Sequence, residues 1–202
     1  MTIVKERLVS GKLEKIYFDR YLRPVGTHTR CVPESVREAA RQRLRDEGGY
    51  AECIAMLNVE PAIESDPFAL KVRGVAKLAL RDYAGADEDF AVAIGLLRRE
   101  LSATSCNQTA SMIEQGELNE ALAIARTAIE IDPHWYLPGV GLLSALALSG
   151  EVDAAWQALV EWLDIWPDGH RDAQLYQYLA EDGMLSALRA DPRFDGFLRS
   201  KH

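Results

Sequence analysis

The chain has 202 residues, 48% of them apolar and 27% charged, with a formal net charge of −8. A chain of this length buries roughly 70% of the surface its unfolded form exposes, so it needs neither disulfide nor metal to fold, and its composition excludes a disordered or fibrous polymer. The acidic balance argues against nucleic acid as a partner, since the body would repel phosphates.

Residues 1–33 read as a basic N-terminal arm. The opening MTIVKERLVSGKLEK scatters charge through every turn and offers no uninterrupted apolar core of a secretory leader, so a cytoplasmic location is expected. Ser10, Gly11, Pro24, Gly26 and Pro33 interrupt the arm, and IYFDRYL between them fits a strand or a two-turn helix. Residues 1–45 hold eleven Lys or Arg against five Asp or Glu, whereas residues 46–202 hold twelve against twenty-six. Such asymmetry bears on partners and association and leaves the fold open.

The arm also contains THTRC, with His28 near Cys31, and an imidazole beside a thiol can raise its nucleophilicity. A separation of three in a Pro- and Gly-flanked segment fixes no geometry and supplies no third orienting group, so no catalytic residue is assigned and the chain is not read as an enzyme. Cys31, Cys53 and Cys106 are odd in number and widely spaced, without a CxxC pair, and read as reduced thiols. No two histidines stand at metal-ligand spacing; His134 and His170 read as loop residues, and no metal or cofactor is expected.

Residues 34–66 read as a degenerate helical hairpin. Val36, Ala39, Ala40 and Leu44 make one stripe, Gly48 and Gly49 the turn, and Tyr50, Cys53, Ile54 and Leu57 the second stripe. Beside the first stripe, Arg37, Arg41 and Arg45 form a row that reads as a solvated face paired with Glu34 and Glu38; the alternative is a contact for an acidic partner.

Residues 67–169 carry a repeat. Leu118, Ala121, Leu122, Ala125, Ala128 and Ile129 define an apolar helix face, with Gly116 before it and Pro133 after it, which predicts a helix over 118–131. Gly150, Ala155 and Pro167 repeat Gly116, Ala121 and Pro133 at a spacing of thirty-four, with Val152, Leu159, Trp162 and Leu163 completing the face. Thirty-five residues before Ala121, the residues Tyr83, Ala86, Phe90, Ala93 and Ile94 form a third copy. Each copy follows a second apolar segment, at 68–80, 103–113 and 136–148, so each unit is expected to be a helix, a short turn and a second helix. The charge-free stretch from Pro133 to Gly150 reads as a buried helix, its prolines and glycines arguing against membrane insertion. Residues 170–202 read as short capping helices, the last opening at Asp191 with Pro192 in its first turn.

These residues resemble the tetratricopeptide repeat family. Leu70, Gly74, Ala86 and Phe90 match its leucine, glycine, alanine and aromatic spacing, while Ala121 with Ala125 and Ala155 with Leu159 match it in the later copies. Those copies have Thr109 and Leu143 where the family has its first-helix glycine. The resemblance covers roughly residues 34–190 and implies an all-α, superhelical solenoid of three to four helix-turn-helix units, capped at its C-terminus and preceded by a non-repeat arm. In this family the first helices line a concave groove that holds a peptide or partner protein. Carried onto this chain, the groove residues are Glu38, Gln42, Arg45, Lys71, Val75, Leu78, Cys106, Ala110, Val140 and Ser144, with Gln174 and Tyr178 from the cap. Lys71 is its main cation, so capture of a C-terminal carboxylate is not expected.

Trp162 reads as core, whereas Trp156 and Trp166 fit either core or an aromatic patch for a partner or a second copy. Asp87, Glu88 and Asp89 read as charges favoured near a helix start. Gly139 and Gly141 lack the third glycine and lysine of a phosphate loop. The expected function is an adaptor or scaffold for a protein partner; the alternative is a sensor whose basic arm lies over the acidic body until a ligand displaces it.

Overall fold

The computed structural model describes residues 3–9, 12–18, 31–46, 48–166 and 173–199. In the arm, where the sequence fits a strand or a helix, the described residues form a strand pair. Strand β1 (Ile3–Val9) pairs antiparallel with β2 (Lys12–Phe18), Ile3 opposite Phe18 and Val9 opposite Lys12. Of IYFDRYL, Ile16 to Phe18 fall in β2; the remainder, like His28, lies outside the described residues.

All other regular structure among the described residues is helical. In chain order come α1 (Glu34–Arg45), α2 (Tyr50–Asn58), α3 (Pro67–Ala79), α4 (Tyr83–Gln115), α5 (Leu118–Ile131), α6 (Tyr136–Leu148), α7 (Val152–Ile165), α8 (Ala173–Glu181), α9 (Ser186–Arg189) and α10 (Arg193–Arg199), with short 3-10 turns at Ile63–Ser65 and Gly183–Leu185. The limits expected for α5 and α6 coincide with those found.

One expectation needs correcting. The segments 83–94 and 103–113 are not separate helices joined by a turn: α4 runs unbroken for 33 residues through both. The reason lies at Arg98, which stands where the later copies carry Pro133 and Pro167. Proline removes an amide donor and clashes with the preceding turn, whereas arginine is a good helix former, so nothing stops the helix there.

Where the chain does turn, it repeats itself atom for atom. Glu117 N donates to Met112 O at 2.9 Å, Glu151 N to Leu146 O at 2.9 Å and Asp82 N to Lys77 O at 2.9 Å, the six-to-one bond of a Schellman cap. The residue before each donor is left-handed: Gly116 at φ 80°, Gly150 at φ 79° and Arg81 at φ 64°. Asp82, Glu117 and Glu151 then start the next helix by accepting from the amides of Ala86, Ala121 and Ala155, at 3.0, 3.0 and 2.9 Å. These three alanines are buried, as is Cys53 after the left-handed Gly48; only a small side chain fits where the two helices of a hairpin meet.

The chain forms two compact units, one of Pro24–Glu100 and one of Met1–Arg23 with Leu101–His202. The expected block 67–169 is thus divided inside α4, its first copy falling in one unit and the later copies in the other.

In the unit of residues 24–100, α1 packs on α2 and α3, and α2 packs on α3. Leu57 and Leu70 are fully buried, each contributing about 2 kcal/mol of transfer free energy. A Cβ at Gly74 would lie 2.7 Å from the Phe90 ring, which is why this helix crossing needs glycine. Asp66, wholly buried, caps α3 by accepting from the amides of Phe68 and Ala69 at 3.0 Å, and it also accepts from Val32 N at 3.0 Å. Asp89 is not a solvated helix-start charge: it is 3% exposed and takes two bonds from Arg73, at 2.9 and 2.6 Å, and an ion pair with Lys77 at 3.0 Å.

In the other unit α6 is the axis of the core. Every residue from Tyr136 to Ala147 is buried, and α5, α7, α8, α9 and the 183–185 turn all contact the helix. Gly139 admits the Trp162 ring, and a Cβ at Gly141 would lie 3.3 Å from Thr109. Trp162 donates to Pro133 O at 3.1 Å, and Trp166 stacks beside it at 5.3 Å between centroids. Trp156 and Trp166 are 6% and 7% exposed, so core is the outcome for both and neither forms an exposed aromatic patch. Trp156 is covered by Phe194, Phe197 and the Arg193 guanidinium. Asp191 accepts from Arg193 N at 2.9 Å, as expected of an N-cap.

Candidate partner-binding surface

The predicted groove residues divide between the two units, and they divide by burial too. Glu38, Gln42 and Arg45 lie on α1, spaced by four and three, and all are exposed. Lys71, Val75 and Leu78 lie on α3 with the same spacing; Val75 is 38% and Leu78 46% exposed. Sequence reasoning missed Phe68, one turn earlier on the same stripe and 52% exposed. Its spacing of three from Lys71 was the available signal.

This α3 stripe is unusual for a solvent-facing helix side, because Phe68, Val75 and Leu78 leave Lys71 as its single charge. Lys71 has no ion-pair partner among the described residues. The α1 row, in contrast, is satisfied internally. Arg45 donates to Gln42 at 3.3 Å and pairs with Glu38 at 3.8 Å, while Arg41 reaches Glu34 and Glu38, both at 3.2 Å. Arg37 pairs with Glu34 and reaches the buried Asp66 at 3.4 Å. The arginine row is therefore paired, as the sequence suggests, but only in part solvated, since the Arg37 side chain is 18% exposed and turns inward to Asp66. The exposed row of α1 is thus self-paired, and that of α3 is apolar with one cation that has no ion-pair partner among the described residues.

In the other unit the assignments are corrected. Cys106 and Ala110 on α4 are 2% and 9% exposed, and Val140 and Ser144 on α6 are wholly buried, so none of the four lines an open face. For Val140 and Ser144 the reason is that α6 is apolar nearly all round and has no side to give to solvent. Burial pushes the Cys106 thiol up to about 12, with Asp132 adding to the shift, and burial also raises Cys53; neither serves as a nucleophile at neutral pH. Cys31 is exposed. Tyr178 is half-buried with its ring 5.4 Å from that of Tyr136, and the side chain of Gln174 lies outside the described residues.

Among the described residues no group of three or more His, Cys, Asp or Glu could hold a metal ion. No helix among them is long and apolar enough to cross a membrane. No protein-family model matches the chain, and no curated protein matches it significantly.

Proposed function

We propose that the chain is a protein-interaction module of the tetratricopeptide-repeat kind, an adaptor or scaffold that holds a partner's peptide segment on the α1–α3 face of residues 24–100. The observation that carries this reading is the exposed stripe Phe68, Lys71, Val75 and Leu78, three apolar side chains and one cation without an ion-pair partner among the described residues. Its partner is a segment with apolar side chains in helical or extended spacing and an acidic residue for Lys71. Repeated left-handed turns at Gly48, Arg81, Gly116 and Gly150, spaced 33, 35 and 34 apart, support the repeat reading. The test is affinity capture with the full chain, read by mass spectrometry. Val75→Arg and Leu78→Glu, both at exposed positions, should abolish capture of a specific partner while circular dichroism stays unchanged; unchanged capture removes the assignment.

A second reading has its own observation. The hairpin groups with residues 101–202, and residues 1–23 hold six Lys or Arg against three acids, whereas residues 101–202 hold six against fifteen. Under this reading the arm is a regulatory element of the acidic unit. Deleting residues 1–23 then changes ligand affinity in a salt-dependent way; an affinity equal to that of the full chain at both low and high salt rules it out.

A further inference from the structure

A second exposed surface lies on α4, on residues other than those of the α3 stripe. Between Glu88 and Arg98 the exposed positions of this helix are Ala91, Val92, Ile94, Gly95 and Leu97, with no charged or polar side chain among them. Val92 is 42%, Ile94 52% and Leu97 45% exposed. The neighbouring repeat shows what an ordinary solvent face looks like here: the exposed residues of α5 include Asn119, Glu120, Arg126, Thr127 and Glu130. About two turns of uncharged exposed helix, at ~3.6 residues per turn, are what a surface destined for burial needs.

The ends of that face identify its occupant. Asp87 and Glu88 stand at one end and Arg98 at the other, all exposed and none with an ion-pair partner among the described residues. Glu88 and Arg98 are ten residues apart, about 15 Å along the axis at ~1.5 Å per residue. A helix with acid at one end, base at the other and small residues between them is complementary to itself when reversed. We propose that this face of α4 pairs antiparallel with the same face of a second copy of the chain.

Under a twofold axis at the level of residue 93, positions equidistant from it oppose each other. Ala91 meets Gly95 of the second copy, which permits the close end of the usual 8–10 Å range of axial separation. Val92 and Ile94 flank that crossing and lose their solvent exposure. Glu88, with Asp87 one residue before it, faces Arg98 of the second copy, and the twofold axis makes the pair twice. Because the contact is only three helical turns long, it belongs to the small, transient class of interface, with dissociation in the micromolar range.

Sedimentation equilibrium of the full chain tests this with three variants. Wild type should show a concentration-dependent monomer–dimer equilibrium. Gly95→Gln should weaken it by at least about tenfold, since two glutamines would occupy the crossing. The same change should leave helicity equal or greater: a Cβ at Gly95 meets nothing within 4 Å, and glutamine is the better helix former. Arg98→Glu should weaken the dimer by about tenfold at low salt through like-charge contacts, and combining it with Asp87→Arg and Glu88→Arg should restore wild-type affinity. A chain monomeric at every concentration, a dimer indifferent to Gly95→Gln, or a triple variant no tighter than Arg98→Glu alone would each overturn the proposal. This face shares no residue with the α1–α3 surface, so the two readings stand or fall separately.

Discussion

At Arg81 the backbone adopts a conformation that its neighbours in the repeat assign to glycine. A Cβ in the left-handed region costs about 1–2 kcal/mol, partly offset because glycine has more freedom to lose on folding. Arg81→Gly should therefore stabilise the chain by about 0.5–1 kcal/mol in urea unfolding, and Gly116→Ala should destabilise it by a similar amount. Cys106 offers a second check. Its folded pKa of about 12 stands above the ordinary 9.0, so its contribution is complete below pH 9 and drains away as pH climbs toward 12. Cys106→Ala should flatten that alkaline loss, and thiol labelling of the native chain at about pH 8 should modify Cys31 while sparing Cys53 and Cys106. At this scale the sequence was legible where chemistry is local, as with the Asp191 cap and the Arg37, Arg41 and Arg45 row. It was illegible where partners are remote: nothing in Asp87-Glu88-Asp89 marks the third acid as the one that meets Arg73, sixteen residues away.

Among the elements, α4 separates what periodicity reveals from what it hides. The apolar spacing of residues 83–94 and 103–113 announces two helical stripes, and both exist. Whether a turn lies between them depends on a stop signal, and Arg98 in place of a proline is the absence of one. Arg98→Pro should cost about 3 kcal/mol, because it breaks a continuous helix; a chain that turned here would accept proline almost freely, and chemical denaturation distinguishes the two. The exposed α3 positions Lys71, Val75 and Leu78 come from the resemblance alone, which places a first helix there; spacing by itself does not mark them. Helix α6 defeated the same logic, since it has no polar side from which its orientation could be inferred.

For the whole molecule, the two hydrophobic cores share no residue: one runs from Val32 to Ala93, the other from Cys106 to Phe194. Leu57→Ala should cost about 2–5 kcal/mol, lowering hydrogen-exchange protection in α1, α2 and α3 while leaving that of α6 and α7 intact. Equal loss in all of them would mean a single cooperative body. The sequence pointed to one continuous stack because the repeat spacing passes through residue 100 without interruption; spacing records the units and is silent about how many cores they make. A practical matter follows from the bond between Val32 N and Asp66. A shortened gene product begun at Glu34, where the helices start, would discard the 1%-exposed Val32 and leave the buried Asp66 oxygen with only its longer, 3.4 Å contact to Arg37. The smallest autonomous piece of this half must therefore be cloned from Cys31 or earlier.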